Sequence, residues 1–311
     1  MEKQETAIII PFILLFVWFW ARNDAMVNPN TLSSILRTMA FPGLISMGMV
    51  QLMIAGEIDL STGAMMSLAA VFAAKLIRDM GLTIPEAVAC ALAVSVLVGL
   101  LNSVLTVKVG IPSVIATIGT QFIVRGVSYS FTNGLPIYPL PKAVGIIGSL
   151  RPLGISVTFF LMLGLVVVVQ LLLNRTRWGS AVFATGANRS AAEICGINTF
   201  RVKTICFVLT AVLAGLAGLL TMSQLPGTPG DPIIGKNLEF DTLAGIIIGG
   251  VSLQGGRGSA IGTLLGVTFI QLVRSGLIIG HFNPYLSTPS LGILMTLAAS
   301  VDILRYRRSE H

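Results

Sequence analysis

The chain reads as an all-α, polytopic membrane protein of about ten transmembrane or re-entrant helices. Three observations predict this. Of its 311 residues, 54% are hydrophobic and only 11% are charged, against about 25% charged in a soluble domain. Its mean hydropathy is +0.88. Its apolar residues lie in runs near the length of about 20 that crosses a bilayer core as helix, without the alternation of barrel strands.

The segments follow in order at 6–20, 33–55, 62–78, 84–106, 113–132, 153–173, 204–222, 241–254, 259–280 and 289–304. The first is short and has no small-residue cleavage site, so it reads as a first span or anchor rather than a removed signal peptide. The second is interrupted by Pro42 and Gly43. The third follows the polar run GEIDLSTG, Gly56 to Gly63, and ends near Lys75 and Arg78. The fourth carries Ala87, Ala91, Ser95, Gly99 and Ser103 at every fourth residue. The fifth holds Gln121, Arg125 and Tyr129 on one helical face. The sixth and seventh are free of charge and flank a polar island from Arg175 to Lys203.

In the seventh, Ala211 with Gly215 and Ala214 with Gly218 extend the small-residue pattern. The eighth, with Gly245 and Gly249, is too short to span unaided and reads as a half-helix or re-entrant piece. The ninth has Gly262 and Gly266, and the tenth leads to Arg305, Arg307 and Arg308. Stripes of small residues let helix backbones approach closely, so they predict a compact bundle.

The net charge of +7 does not point to nucleic acid, because the basic residues sit in loops between apolar runs. Placing the island's Arg175, Arg177, Arg189, Arg201 and Lys203 in the cytoplasm puts both termini there, together with Arg257. Lys75 and Arg78 then fall outside, against the scheme. Positive-inside bias accounts for Arg175, Arg177, Arg201 and Lys203 without a further role. The loop from Ser223 to Asp241 is expected outside. Cys90, Cys195 and Cys206 lack metal or redox spacing and read as small apolar fillers.

Polar groups inside spans need a reason, because a central charge costs about 2.5–3.5 kcal/mol on insertion scales. Glu57 and Asp59 fit either an interhelix turn with a capping Asp or an unwound stretch facing a solute path. Arg125 fits either an interfacial or ion-paired residue, or a path residue with Gln121 and Tyr129, whose groups suit a hydroxyl-rich ligand. Asn102 is a weaker case of the same kind. Glu239 and Asp241 read as caps of a helix start, with a faint echo of Glu57-x-Asp59. With two histidines, no nucleophile–base pair and no phosphate loop, the chain carries no signal for catalysis, metal or nucleotide binding. GGRGSAIG lacks the Lys-Ser/Thr of such a loop.

AGEIDLSTGAMMSLAA resembles the signature of membrane permeases of ribose-type (monosaccharide) ABC importers. GIPSVIATIGTQFIVRGVSY, RWGSAVFATGANRSAAEICGI and EFDTLAGIIIGGVSLQGGRGSAIGTLLG resemble further stretches of that family, in the same order. Glu57, where the common pattern has Gly, and Trp178-Gly179, where it has Gly-Arg, depart from it. The resemblance implies the ABC importer permease fold as one domain over 1–311, with a cytoplasmic coupling loop at about 175–203. It also implies a monosaccharide cargo, a second permease copy or paralogue, an ABC ATPase using ATP and magnesium, and an extracytoplasmic sugar-binding protein. The chain itself would bind no cofactor and sit in the bacterial inner membrane. Asn188, Ala191, Ala192, Glu193 and Gly196 match the family's coupling helix, which docks on the ATPase. Asn188 or Ser190 would start that helix, the alanines would permit close docking, and Gly196 would end it. Other readings are another ABC cargo (a nucleoside, an autoinducer-like furanose or an amino acid) or an ion-coupled secondary transporter.

Overall fold

A computed structural model describes residues 3–224 and 230–309 of the chain. The elements are helices: α1 Lys3–Arg22, α2 Pro29–Ile54, α3 Thr62–Met80, α4 Ile84–Ser103, α5 Ser113–Thr132, α6 Ile146–Ser149, α7 Val157–Arg175, α8 Arg177–Ala187, α9 Arg189–Ile194, α10 Thr199–Gln224, α11 Leu238–Ile248, α12 Ala260–Ile279 and α13 Ser287–Ser309. A π-helical turn, Val104–Lys108, prolongs α4. Strand pairing among the described residues is one antiparallel bridge, Ile137 to Gly230.

Helix ends follow local chemistry. Pro29 opens α2 at a position where its missing N–H is harmless, and Asn28 caps that end by accepting from Asn30 N–H at 3.0 Å. The Glu86 carboxylate accepts from the Thr83 N–H at 2.9 Å and hydroxyl at 2.7 Å, closing the start of α4. Gly81 ends α3 in the left-handed region at φ 68°.

Each of the ten apolar segments overlaps a helix, although 241–254 runs past the end of α11 at Ile248, and the helices are not all of one kind. Five helices, at Pro29–Ile54, Ile84–Lys108, Val157–Arg175, Thr199–Gln224 and Ala260–Ile279, are long and apolar enough to cross a membrane. α3, α5 and α11 are shorter or more polar, and Ile8–Arg22 of α1 is apolar.

α10 is the centre, packed against α2, α3 and α4. Its neighbours approach at small residues: a Cβ on Gly48 of α2 would lie 2.6 Å from the Thr210 Cα, and one on Gly99 of α4 would lie 2.7 Å from the Val208 Cα. The stripe Ala87, Ala91, Ser95, Gly99 and Ser103 is buried throughout. α11 and α12 pair in the same way, Gly266 closing on the Gly245 carbonyl. Lipid gives helices no hydrophobic reason to associate, so these close backbone contacts supply the attraction.

Residues 225–229 lie outside the described residues; beyond them the loop packs on the bundle through buried Pro232 and Ile234, and Ser67 of α3 donates to the Pro232 carbonyl at 2.8 Å. α11 then starts deep in the bundle and is 11 residues long. That is about 16 Å at 1.5 Å per residue, half of a core about 30 Å thick. Gly235 at φ 72° and Asn237 at φ 66° turn the chain into it. The filler reading of the cysteines holds for buried Cys206 alone, since Cys90 and Cys195 are exposed.

Gly48→Leu forces side-chain atoms into the α10 backbone and is expected to lower stability by about 1–3 kcal/mol or more. Gly126→Leu enters open space and is expected to change it by less than about 0.5 kcal/mol. Denaturant titration of the two variants in detergent micelles checks the contrast.

Candidate functional site

The polar residues nominated by the sequence gather at two breaks in the helical ladder and in one loop. The first break is the turn 55–61 between α2 and α3. Gly56 leaves the helix at φ 85°, and the backbone after it needs partners other than its own turn. α5 supplies two of them: the Ile58 N–H donates to Ser113 Oγ at 3.3 Å and the Leu60 N–H to Thr117 Oγ1 at 3.0 Å. Asp59 Oδ1 accepts from the Ser61 N–H at 2.8 Å and hydroxyl at 2.6 Å. Asn102 of α4 donates to Asp59 Oδ2 at 3.2 Å and Ser61 Oγ at 2.9 Å. Asp59 and Asn102 are fully buried, so both stitch the turn and neither lines an open surface.

Glu57 goes elsewhere. Its Oε1 accepts from Lys203 Nζ at 2.6 Å, and the two side chains are only 15% and 10% exposed. Lys203 lies near the start of α10 and is the last residue of the polar island. This corrects the view that positive-inside bias suffices for Lys203: a lysine snorkelling to water would not be buried against a carboxylate. The same end of the bundle collects other loops. The Gly256 N–H donates to the Ile54 carbonyl at 2.8 Å, and Gly186 of α8 closes on that same carbonyl. Trp178 donates its indole N–H to Gln51 Oε1 at 2.9 Å, fastening α8 to α2.

The second break is the segment 231–237. Arg125 Nη1 donates to the Pro232 carbonyl at 3.1 Å and the Ile234 carbonyl at 2.9 Å. A guanidinium thus replaces the N–H groups a continuous helix would have offered these oxygens. One turn earlier, Gln121 Nε2 donates to Glu239 Oε1 at 2.6 Å. Glu239 is 1% exposed, and its Oε2 has no hydrogen-bond partner among the described residues. Tyr129 lies one turn beyond Arg125 and is exposed. Gly119 and Gly126 of the same helix face open space.

The island folds as α8 and α9. Asn188 starts α9, its Oδ1 accepting from the Ala191 N–H at 3.0 Å. Gly196, at φ 81°, ends it, with the Ile197 N–H reaching back to the Ala192 carbonyl at 3.0 Å. Ala191, Glu193 and Gly196 are exposed, whereas Ala192 is buried and is not a free docking residue. Ile194, 87% exposed at the tip, is an apolar side chain the sequence reading did not single out. Glu193 accepts from Arg189 at 3.0 Å and from the Thr199 hydroxyl, tying α9 to α10. The Thr199 hydroxyl first, and Arg189 second, hold the Glu193 carboxyl below its ordinary value.

Three further residues were missed or underread. Glu239 and Asp241 were taken for caps, yet Glu239 binds Gln121, and Asp241 pairs with Arg274 of α12. The repeated Glu-x-Asp spacing was the available signal, and it carried no information on partners.

Residues 31–299 match the family described as branched-chain amino acid transport system / permease component. The probable ABC transporter permease protein YphD of Escherichia coli (strain K12) is 33% identical over 98% of this chain and 91% of its own length. The ribose import permease protein RbsC of Bacillus subtilis (strain 168) is 32% identical over 94% of this chain and 91% of its own. The autoinducer 2 import system permease protein LsrC of Escherichia coli (strain K12 / DH10B) is 30% identical over 89% of this chain and 80% of its own. No solved structure matches.

Glu57→Gln leaves the Lys203 charge buried and unpaired and is expected to cost about 3–5 kcal/mol, most of it recovered when Lys203→Gln is added. Denaturant titration of the single and double variants measures this, and strictly additive losses would show that the two groups act independently. The Glu193 bonds lower its carboxyl value, so they support the loop above the ordinary carboxylate range, about 4.3. They are lost as pH falls through the depressed value. Thr199→Val is expected to move the Glu193 midpoint upward in carbon-detected NMR; an unmoved midpoint removes the hydroxyl as its cause.

Proposed function

The chain belongs to the membrane permease family of ribose-type ABC importers, and from that premise we propose that it forms the sugar pathway of an ATP-driven importer. The cargo in this reading is a monosaccharide or a close relative. The relatives' printed names, ribose and autoinducer 2, support it. The observation that carries the coupling part is the α8–α9 loop. It has a capped short helix, a left-handed glycine stop and an exposed isoleucine at its tip, between two apolar spanning helices.

The proposed sequence of events starts at a separate ATPase, which uses ATP and magnesium and receives α9. A helix of 6 residues is marginal alone and gains order by docking. Movement of α9 reaches α10 through Glu193 and Thr199, and α10 pulls the 55–61 turn through Lys203 and Glu57. That turn is bonded to α5 through Ser113 and Thr117. α5 is the helix whose Gln121, Arg125 and Tyr129 are proposed to face the sugar, with a second permease copy or paralogue across the path. An extracytoplasmic binding protein delivers the cargo, and both termini lie in the cytoplasm. Engagement of Glu57 by Lys203 and of Asp59 by Asn102 takes away the two carboxylates on which the reading as an ion-coupled secondary transporter rested. The name of LsrC keeps a furanose-like autoinducer as the second cargo reading.

Reconstitution with the ATPase and binding-protein subunits, followed by uptake of labelled ribose, tests the reading. Uptake is expected only with ATP, and uptake persisting without the ATPase overturns it. Gly196→Val places a β-branched residue at φ 81° and is expected to lower uptake by roughly tenfold or more. Wild-type uptake by this variant would remove α9 from the coupling route.

A further inference from the structure

At the end of the bundle remote from α8 and α9, two cavities share a rim. The first, of about 280 Å³, lies between the start of α2 and the loop before α7. Arg37 and Arg151 both line it, with Asn30 and Ser34. Ser33 Oγ donates to the Gly154 carbonyl at 2.7 Å and holds that loop against α2. Among the described residues, neither guanidinium has a carboxylate within ion-pair distance and no acidic residue lines the cavity. Two cations lining one pocket favour an anion between them. The positive end of α2 adds to the field there.

The second cavity, of about 440 Å³, is a groove between α2 and α12. Asn30 and Ser34 border both cavities, and Ile35, Ile278 and Ile279 wall the groove. The Gln271 side chain spends its donors on Thr38 at 2.9 Å and Ser275 at 3.0 Å, so the polar groups along this wall are partly satisfied by one another. A cationic pocket opening into a groove that three isoleucines line beside mutually bonded polar groups, at the ends of spanning helices, matches an amphiphile, charged at one end and hydrocarbon at the other.

We propose that this paired cavity binds an anionic phospholipid, its phosphate between Arg37 and Arg151 and one acyl chain in the α2–α12 groove. Arginine suits the role because its planar fork donates two parallel hydrogen bonds to a phosphate. The groove gives the tail a surface that a free anion would not need. The site is independent of the sugar pathway and of the α9 loop.

The test is lipid retention by the purified full-length chain, read by native mass spectrometry during titration with phosphatidylglycerol or phosphatidylcholine. The wild type is expected to keep phosphatidylglycerol in preference, and Arg37→Gln/Arg151→Gln to lose that preference by roughly tenfold. Arg37→Lys/Arg151→Lys, which keeps the charge but not the fork, is expected to retain a preference between those of the wild type and the Gln variant, and controls for folding. Equal retention of both lipids by the wild type, or an unchanged preference in the Gln variant, overturns the proposal. Inorganic phosphate binding as tightly as the lipid assigns the pair to a free anion and also overturns it. So does a Gln variant that retains lipid normally but no longer responds to the binding protein, which would assign the arginines to a protein carboxylate.

Discussion

Hydrocarbon offers no hydrogen-bond partner, so every interruption of a helix inside the membrane must be satisfied by the protein itself. The rest of this architecture depends on how two interruptions are satisfied. At 55–61 the partners are hydroxyls of α5, the Asp59 carboxylate and Asn102. At 231–237 they are Ser67 and the Arg125 guanidinium. Both stitches include α5, which thereby becomes the helix that registers the position of each break.

The buried pair Glu57–Lys203 adds a mechanical link. An isolated buried charge would be costly, and pairing requires the 55–61 turn and the start of α10 to stay together. Since α10 also packs on α2, α3 and α4, displacement at its start cannot remain local in a close-packed bundle. Glu57 is one of the chain's departures from the common family pattern. Its partner, Lys203, shows that the departure adds a tie between elements rather than a free acid. Trp178, the other departure, likewise became a tie, to Gln51.

Much of the fold was legible from composition and spacing. Long apolar runs, the small-residue stripe from Ala87 to Ser103, and the Asn188 and Gly196 punctuation of α9 are local signals, and the helices lie where they predict. The eighth segment was recognisable as a half-helix because its apolar run is too short to span. The packing of the segment before it on Ser67 and Arg125 was not readable, because Pro and Gly favour loops in water and broken backbone in a membrane protein alike. The nominated polar residues were worth singling out, but their partners were not readable. Ala192 and Ala191 differ in burial for a similar reason, since only the packing of α9 decides which side of so short a helix turns inward.

The sequence by itself determined an all-helical membrane chain, the order of its helices, the basic loop, and membership of a permease family. These follow from hydrophobic length, helix period and residue order, which are properties of contiguous residues. Only the tertiary structure decided that Glu57 meets Lys203, 146 residues away, and that Arg125 meets carbonyls more than 100 residues away. It alone decided that Arg37 and Arg151 share a pocket. The physical reason is that burying a charge is tolerable only beside a specific partner, and the packing of distant helices selects that partner.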